Sequence, residues 1–145
     1  MNGYRVRRPK QFENFLNSLT DKDNGVFSTY KSALMFAAAY GFKHGKRVEF
    51  QDSSERINLS IFDINNDIPF MYSMALTILK DVSYLQDKDE KFYEVMKIFE
   101  EYAAGGLSLL EGALDPLNLT ESILSRLHEE DDPLVGITGD DWLNH

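Results

Sequence analysis

Hydrophobic residues recur every three or four positions along most of the chain, which is the spacing of one face of an α-helix. The first such stretch follows Pro9, a residue that suits the first turn of a helix. Its apolar positions are Phe12, Phe15, Leu16 and Leu19. Residues 30–42 are apolar on almost every side and include three consecutive alanines. We therefore expect a buried central helix there, capped by Ser28 or Thr29.

The second half of the chain again has helical spacing, and it is interrupted by polar breaks and by glycine and proline. Helices are predicted over 67–82, over 92–106 and from Pro116 onward. The pair Gly105-Gly106 is expected to kink the second of these helices or to end it. In the latter case residues 107–114 form a separate helical piece.

Between the two halves the spacing of apolar residues changes to two, which is typical of a β-strand. The alternating residues are Val48 and Phe50, followed by Ile57, Leu59 and Ile61. A short hairpin near 47–64 is one interpretation of this pattern. The other is an extended connector that lays its apolar side chains on the helices.

These patterns predict a mainly α fold, a compact domain of five or six helices with a short β-hairpin near 47–64. A length of 145 residues favours a single domain. We assign it to residues 1–128, and we expect residues 129–145 to form a flexible, acidic tail. The oligomeric state stays open, and exposed apolar surface on the alanine-rich helix would favour a dimer.

The composition suits a packed core and excludes several classes of protein. Hydrophobic residues make up 43% of the chain, and cysteine is absent. Disulfides, thiol catalysis and cysteine-based zinc sites are therefore excluded. No apolar run approaches the length of a membrane span, and the basic N-terminus lacks the apolar stretch of a signal peptide. We expect a cytoplasmic protein without a membrane partner.

Charge is distributed unevenly along the chain. The net charge of −9 combines +4 over residues 1–56 with −13 over residues 57–145. This balance argues against a protein whose whole surface binds nucleic acid. Seven basic residues flank the first two predicted helices, namely Arg5, Arg7, Arg8, Lys10, Lys43, Lys46 and Arg47.

If the two groups of basic residues meet, they form a cationic patch that can bind DNA phosphates or an acidic protein surface. Two alternatives are open: the charges are solvated, or they pair with the acidic second half of the chain. In the tail, Asp140, Asp141 and Trp142 form a candidate docking element for a partner. The alternative is a terminal segment without a role.

A search for catalytic motifs is negative. Residues 41–47 have two glycines and a lysine, but the spacing of a phosphate-binding loop and its hydroxyl residue are missing. Glu100 and Glu101 are adjacent, so on a helix they point about 100° apart and do not face one substrate. The three histidines show no recognised metal spacing. We predict no catalytic residue, metal or cofactor.

Three segments together resemble a known group of proteins. They are Arg7-Arg8-Pro9-Lys10, the alanine-rich segment 30–42 with the basic residues after it, and the segment 100–107. They are similar to the small Dnd-system-associated proteins, which are encoded beside bacterial DNA phosphorothioation genes. The similarity covers roughly residues 5–115 and leaves the tail outside. It implies an accessory role in DNA-modification-linked defence against phage, and it brings no active-site residues.

The expected function is therefore that of a non-enzymatic accessory or adaptor protein, which binds protein components of the system or DNA. A DNA-binding regulator that uses the cationic patch is the first alternative. A DNA-mimicking inhibitor that uses the acidic second half is the other.

Overall fold

The computed structural model describes residues 3–86, 88–115 and 117–134, the last six of these as backbone only. Five α-helices account for most of the described chain: α1 (Glu13–Leu19), α2 (Tyr30–Lys43), α3 (Asp67–Leu79), α4 (Asp89–Ala113) and α5 (Leu119–Leu134). Two strands, β1 (Arg5–Pro9) and β2 (Ser53–Asn58), form an antiparallel sheet. The predicted mainly α fold with a short pair of β-strands is confirmed.

Helix α4 is the central element of the fold. Its stretch 98–107 is buried without interruption, and α1, α2, α3 and β1 all pack against it. The other helices contribute apolar faces to one continuous core around α4. Because α4 contacts three other helices and strand β1, side chains on its buried stretch can hold several segments of the chain at once.

Glycines bring α2 and α4 into backbone contact. A Cβ atom on Gly106 would fall on the main-chain carbonyl of Ala37 in α2, and one on Gly41 would meet the carbonyl of Tyr102 in α4. Gly105 is equally close to the carbonyl of Lys46. The expectation that Gly105-Gly106 ends the helix is wrong, since α4 continues through the pair. The glycine pair allows α4 to pack closely against α2 and the residues that follow it, and it does not interrupt α4.

The sheet joins segments that are far apart in sequence. In the register of the two strands, Arg5 lies opposite Asn58, Val6 opposite Ile57 and Pro9 opposite Ser53. One strand thus falls within 47–64 as expected, but its partner is β1, a segment that the sequence indicated only as the approach to the first helix. Residues 46–52 form an extended connector instead, with Phe50 buried against the helices.

Helix α5 closes one side of the core. Leu119 and Ile123 are buried, and the Arg126 Nε donates a hydrogen bond of 2.9 Å to the Tyr40 hydroxyl of α2. The helix continues to Leu134, beyond the predicted domain boundary at residue 128. The predicted docking residues Asp140, Asp141 and Trp142 lie outside the described residues.

None of the helices in the described part of the chain combines the length and the apolar character that crossing a bilayer requires.

Substitution of Gly106 by alanine tests the contact between α2 and α4. The new methyl group must displace the Ala37 carbonyl, so we expect Gly106→Ala to lower the free energy of unfolding by about 1–3 kcal/mol. Gly112→Ala is the matched control on the same helix, because a Cβ at Gly112 meets nothing within 4 Å. That variant should be unchanged or more stable by up to about 1 kcal/mol. Urea denaturation measures both, and equal effects would contradict the close contact.

Candidate functional site

Three arginines of the predicted cationic patch bind groups within the chain itself. Arg7 and Arg47 form ion pairs with two neighbouring glutamates of α4, Glu100 and Glu101. Arg8 is 7% exposed, and its Nε donates to the Glu55 carbonyl at 2.6 Å. Its guanidinium carbon also lies 4.2 Å from the centre of the Tyr30 ring. For Arg7 and Arg47, the structure shows the pairing with the acidic second half that was left open as an alternative. The partners of Arg8 lie in the first half of the chain.

Glu100 binds the N-terminal strand to α4. Its side chain is 1% exposed and accepts three hydrogen bonds. Oε1 accepts from the Arg7 Nε at 2.8 Å, and Oε2 accepts from the Arg7 backbone N–H at 2.9 Å and from the Tyr4 hydroxyl at 2.7 Å. The Arg7 guanidinium in turn lies 4.3 Å from the centre of the Phe50 ring and donates to the Phe50 carbonyl. One carboxylate thus holds the edge of β1 that faces the helix.

Glu101 binds the connector that follows α2. Its Oε1 accepts hydrogen bonds from the Arg47 Nε at 3.1 Å and from Nη2 at 2.7 Å. The Glu101 main-chain carbonyl accepts from the Val48 N–H at 3.0 Å. Side chain and main chain of one residue therefore fix two successive residues of the connector against α4.

The directions of the two glutamates explain this division. Adjacent residues on a helix point about 100° apart, so Glu100 faces β1 while Glu101 faces the connector. This geometry also means that Glu100 and Glu101 do not face one substrate, as their adjacency in the sequence predicted. The pairing with Arg7 and Arg47 was missed in the sequence, although two acids among Phe99, Tyr102 and other apolar residues signal buried charges that need cations.

Burial also changes the acid–base behaviour of this cluster. Loss of solvent raises the pKa of Glu100 above its ordinary value, although hydrogen bonds from Arg7 and Tyr4 oppose the shift. Burial raises the pKa of the Tyr4 hydroxyl strongly, and the nearby Glu100 raises it further. Tyr4 therefore stays a hydrogen-bond donor to Glu100 well into the alkaline range.

A polar pocket of about 310 Å³ opens beside the cluster. It is lined by Tyr4, Arg7, Glu49, Phe50, Gln51, Lys97, Glu100 and Glu101. Glu100 already accepts three hydrogen bonds, so its carboxylate is committed to holding the fold. Within the described residues, no group of three acidic, histidine or cysteine side chains is arranged to hold a metal ion.

The other four residues of the predicted patch are exposed. Arg5 lies at the start of β1, Lys10 follows its end, and Lys43 and Lys46 lie at the end of α2 and after it. The two ends of the patch do approach each other, but they do so at Arg7 and Arg47, where adjacent carboxylates neutralise them. The exposed cations of the patch are therefore Arg5, three lysines and part of the Arg47 side chain.

A second, apolar groove of about 530 Å³ lies at the end of the sheet. Its lining includes Leu59, Ile61, Phe62, Ile64 and Ile68. Ile61 is 57% exposed and Ile64 is 66% exposed, which is unusual for large aliphatic side chains. Exposed apolar surface of this kind is typical of sites that bind other proteins.

Comparison with known proteins gives one match. The family model described as DNA sulphur modification system-associated protein 4 matches residues 5–140. It thus extends beyond the stretch on which the sequence resemblance was based, into the acidic C-terminal segment. Searches of curated proteins and of solved structures find no match.

Replacing Arg7 tests the buried ion pair. Arg7→Met leaves Glu100 buried without its cation, so we expect a loss of about 3–5 kcal/mol in the free energy of unfolding. The additional change Glu100→Gln should restore much of this loss, since it removes the buried charge and keeps an acceptor for the Tyr4 hydroxyl and the main-chain N–H of residue 7. Thermal and urea denaturation measure the single and double variants. A double variant no more stable than the single one would contradict an ion-pair role.

The loss in Arg7→Met should also depend on pH. Without Arg7, burial raises the pKa of Glu100 further. A raised folded-state pKa favours folding at low pH, where Glu100 is protonated, and this contribution is lost as pH rises through that pKa. The loss in the free energy of unfolding of Arg7→Met, relative to the parent protein, should therefore be smaller in mildly acidic than in neutral solution. A deficit independent of pH would mean that Glu100 is not the titrating group.

Tyr4 provides a spectroscopic test of the same cluster. Because its pKa is raised, the folded protein should keep one tyrosine protonated at a pH where free tyrosine is ionised. Absorbance titration of the phenolate should show this late step in the parent protein and not in Tyr4→Phe. Because folding raises the pKa of Tyr4, the stabilisation that its protonated hydroxyl provides is lost as the pH rises through the pKa of Tyr4 in the folded protein. Tyr93→Phe, at an exposed tyrosine beside it, is the control that should retain the late step.

Proposed function

Because the chain belongs to the family of DNA sulphur modification system-associated protein 4, we propose that it is a non-enzymatic accessory protein that binds a protein component of such a system. It then serves phosphorothioation-linked anti-phage defence as an adaptor, without carrying out a reaction. The family description names an association with the system and no activity.

The pairing of three arginines with groups of the chain itself is the observation that favours a protein partner over DNA. Arginine is the side chain best suited to bind phosphates in a bidentate manner. Here Arg7, Arg8 and Arg47 are held by Glu100, the Glu55 carbonyl and Glu101. Release of Arg7 or Arg47 for DNA would leave a buried carboxylate, Glu100 or Glu101, without its cation, which is unfavourable.

The state of the buried carboxylates supports a role without catalysis. A general acid or base must reach a substrate proton. Glu100, the most buried acid with a shifted pKa, is surrounded by donors from Tyr4 and Arg7. The hydrogen bonds of its carboxylate join β1 to α4.

An exposed apolar groove supports binding to protein. The groove at the end of the sheet presents Ile61 and Ile64 to solvent. Completing the burial of two such side chains in an interface is favourable by roughly 1–2 kcal/mol each. The charged backbone of DNA offers little apolar surface for such a contact, whereas a protein partner does.

The first experiment compares protein and DNA binding directly. The chain is purified together with each protein of the DNA sulphur modification system, and complexes are detected by size-exclusion chromatography at low and physiological salt. Fluorescence anisotropy with plain and phosphorothioated duplex DNA is measured under the same conditions. We expect a complex with one protein that survives physiological salt, and no DNA binding at that salt.

Variants distinguish the alternatives. Arg5, Lys10 and Lys46 are exposed, so their joint change to alanine removes surface charge without breaking the buried ion pairs. The matched control changes Lys22 and Lys88 to alanine and Lys80, which has a positive φ, to asparagine; all three are exposed and lie outside the polar pocket. DNA binding that only the first variant loses would replace the proposal by a DNA-binding regulator. Competition with DNA for the protein partner would favour the DNA-mimicking inhibitor.

A further inference from the structure

Strand β2 is paired on one side only. The sheet has two strands in the described part of the chain, and β1 turns its other edge toward α4, where the Arg7 N–H binds Glu100. The outer edge of β2 has no neighbouring strand. An open edge of this kind presents main-chain donors and acceptors that can pair with another extended chain.

The register identifies which main-chain groups lie on the open edge. The Leu59 N–H donates to the Tyr4 carbonyl, so this pair is hydrogen-bonded. In antiparallel pairing, hydrogen-bonded and non-hydrogen-bonded pairs alternate. Asn58, opposite Arg5, therefore directs its N–H and C=O away from β1. The register shifts between Val6 and Arg8, opposite Glu55 and Arg56, so this alternation applies to β2 from Ile57 onward.

The open edge leads directly into the apolar groove. Asn58 ends β2 and is also part of the groove lining, followed by Leu59 and Ile61. A chain that pairs with Asn58 would therefore continue over Ile61 and Ile64. Main-chain pairing next to a pocket for a side chain is the arrangement used for recognition by strand addition.

One acidic residue gives the groove its charge. Asp63 is the only charged residue among those that line it. Hydrogen bonds from Asn65 and Asn66 lower the pKa of Asp63, so it is ionised at neutral pH. A basic side chain next to the apolar residue of the incoming chain complements this carboxylate.

We propose that β2 and the adjacent groove bind an extended segment of a partner protein as a third strand. The main chain of the segment pairs with Asn58. One apolar side chain enters the groove over Ile61 and Ile64, and a neighbouring lysine or arginine faces Asp63. This inference rests on the proposed function, since it gives the adaptor its binding site and the class of segment that it binds.

A short linear segment fits this surface better than a folded partner or a second copy. Stable interfaces between folded proteins bury about 800 Å² on each side. The edge offers Asn58 for main-chain pairing and one groove, which matches a segment of a few residues. The acidic groove and the net charge of −9 disfavour the approach of a second copy of the same chain.

Asn58→Pro is the sharpest test of main-chain pairing. Asn58 has φ −57°, close to the value that proline requires, so the backbone accepts the change. The substitution removes only the outward N–H of the edge and the amide side chain. Asn58→Ala is the matched control, because it removes the same side chain and keeps the N–H.

Two lysine substitutions test the groove. Ile64→Lys places a charge at its mouth. Val82→Lys is the control at another exposed aliphatic residue, 77% exposed and outside the groove. Circular dichroism and thermal denaturation of all four variants verify that the fold is retained.

The probe is an array of overlapping synthetic peptides that covers the proteins of the DNA sulphur modification system. The tightest-binding peptide is then measured by fluorescence anisotropy. We expect Asn58→Pro to weaken binding by about tenfold, which corresponds to the loss of one main-chain hydrogen bond. Ile64→Lys should weaken it at least as much, and Asn58→Ala and Val82→Lys should bind as the parent does.

The remaining outcomes overturn the inference. It fails if no peptide binds, or if Asn58→Pro and Asn58→Ala weaken binding equally. It also fails if sedimentation shows a dimer that Asn58→Pro dissociates, because the edge then belongs to a second copy. Co-purification of the full-length partner separates the two proposals. If the partner binds all four variants equally, the adaptor function stands and the β2 site is wrong, whereas no partner at all contradicts the adaptor function itself.

Discussion

Two neighbouring carboxylates on the most buried part of α4 hold the fold together. Glu100 neutralises Arg7 of β1, and Glu101 neutralises Arg47 of the connector after α2. Without these cations, two acids in an apolar core would carry a large desolvation penalty. Because the two glutamates point in different directions, a single helical step ties two distant segments to one helix. The sheet, the polar pocket and the end of α2 all take their positions from this pair.

Backbone contact between α2 and α4 complements the ion pairs. Gly41 and Gly106 let the two helices approach closely enough to leave no room for a side chain at these two positions. Arg47 follows α2 after only a few residues, so the closeness of the helices also limits how far its guanidinium can lie from Glu101. Packing and electrostatics here specify the same arrangement, as is typical of sequences that encode one structure.

Local patterns predicted the helices well and the long-range pairing poorly. The apolar residues of 30–42 and 92–106 have a periodicity that neighbouring residues alone determine, and α2 and α4 lie there. Thr29 also caps α2 as expected, accepting a hydrogen bond from the Ser32 N–H. Strand β1 was not predicted, because Arg7 and Arg8 have the composition of a solvated surface. Their partners lie 93 and 47 residues away, at a distance that no local pattern reveals.

The open edge of β2 also bears on how the protein avoids associating with itself. Unpaired strands are starting points for aggregation, and proteins protect them with short length and charge. Strand β2 has six residues and carries Glu55 and Arg56 on its exposed part. The larger protection is colloidal, since a net charge of −9 makes copies of the chain repel one another over a Debye length. The surplus of acidic residues thus keeps copies of the chain apart at low ionic strength. Concentrated salt screens this repulsion, and under that condition the unpaired edge of β2 promotes aggregation.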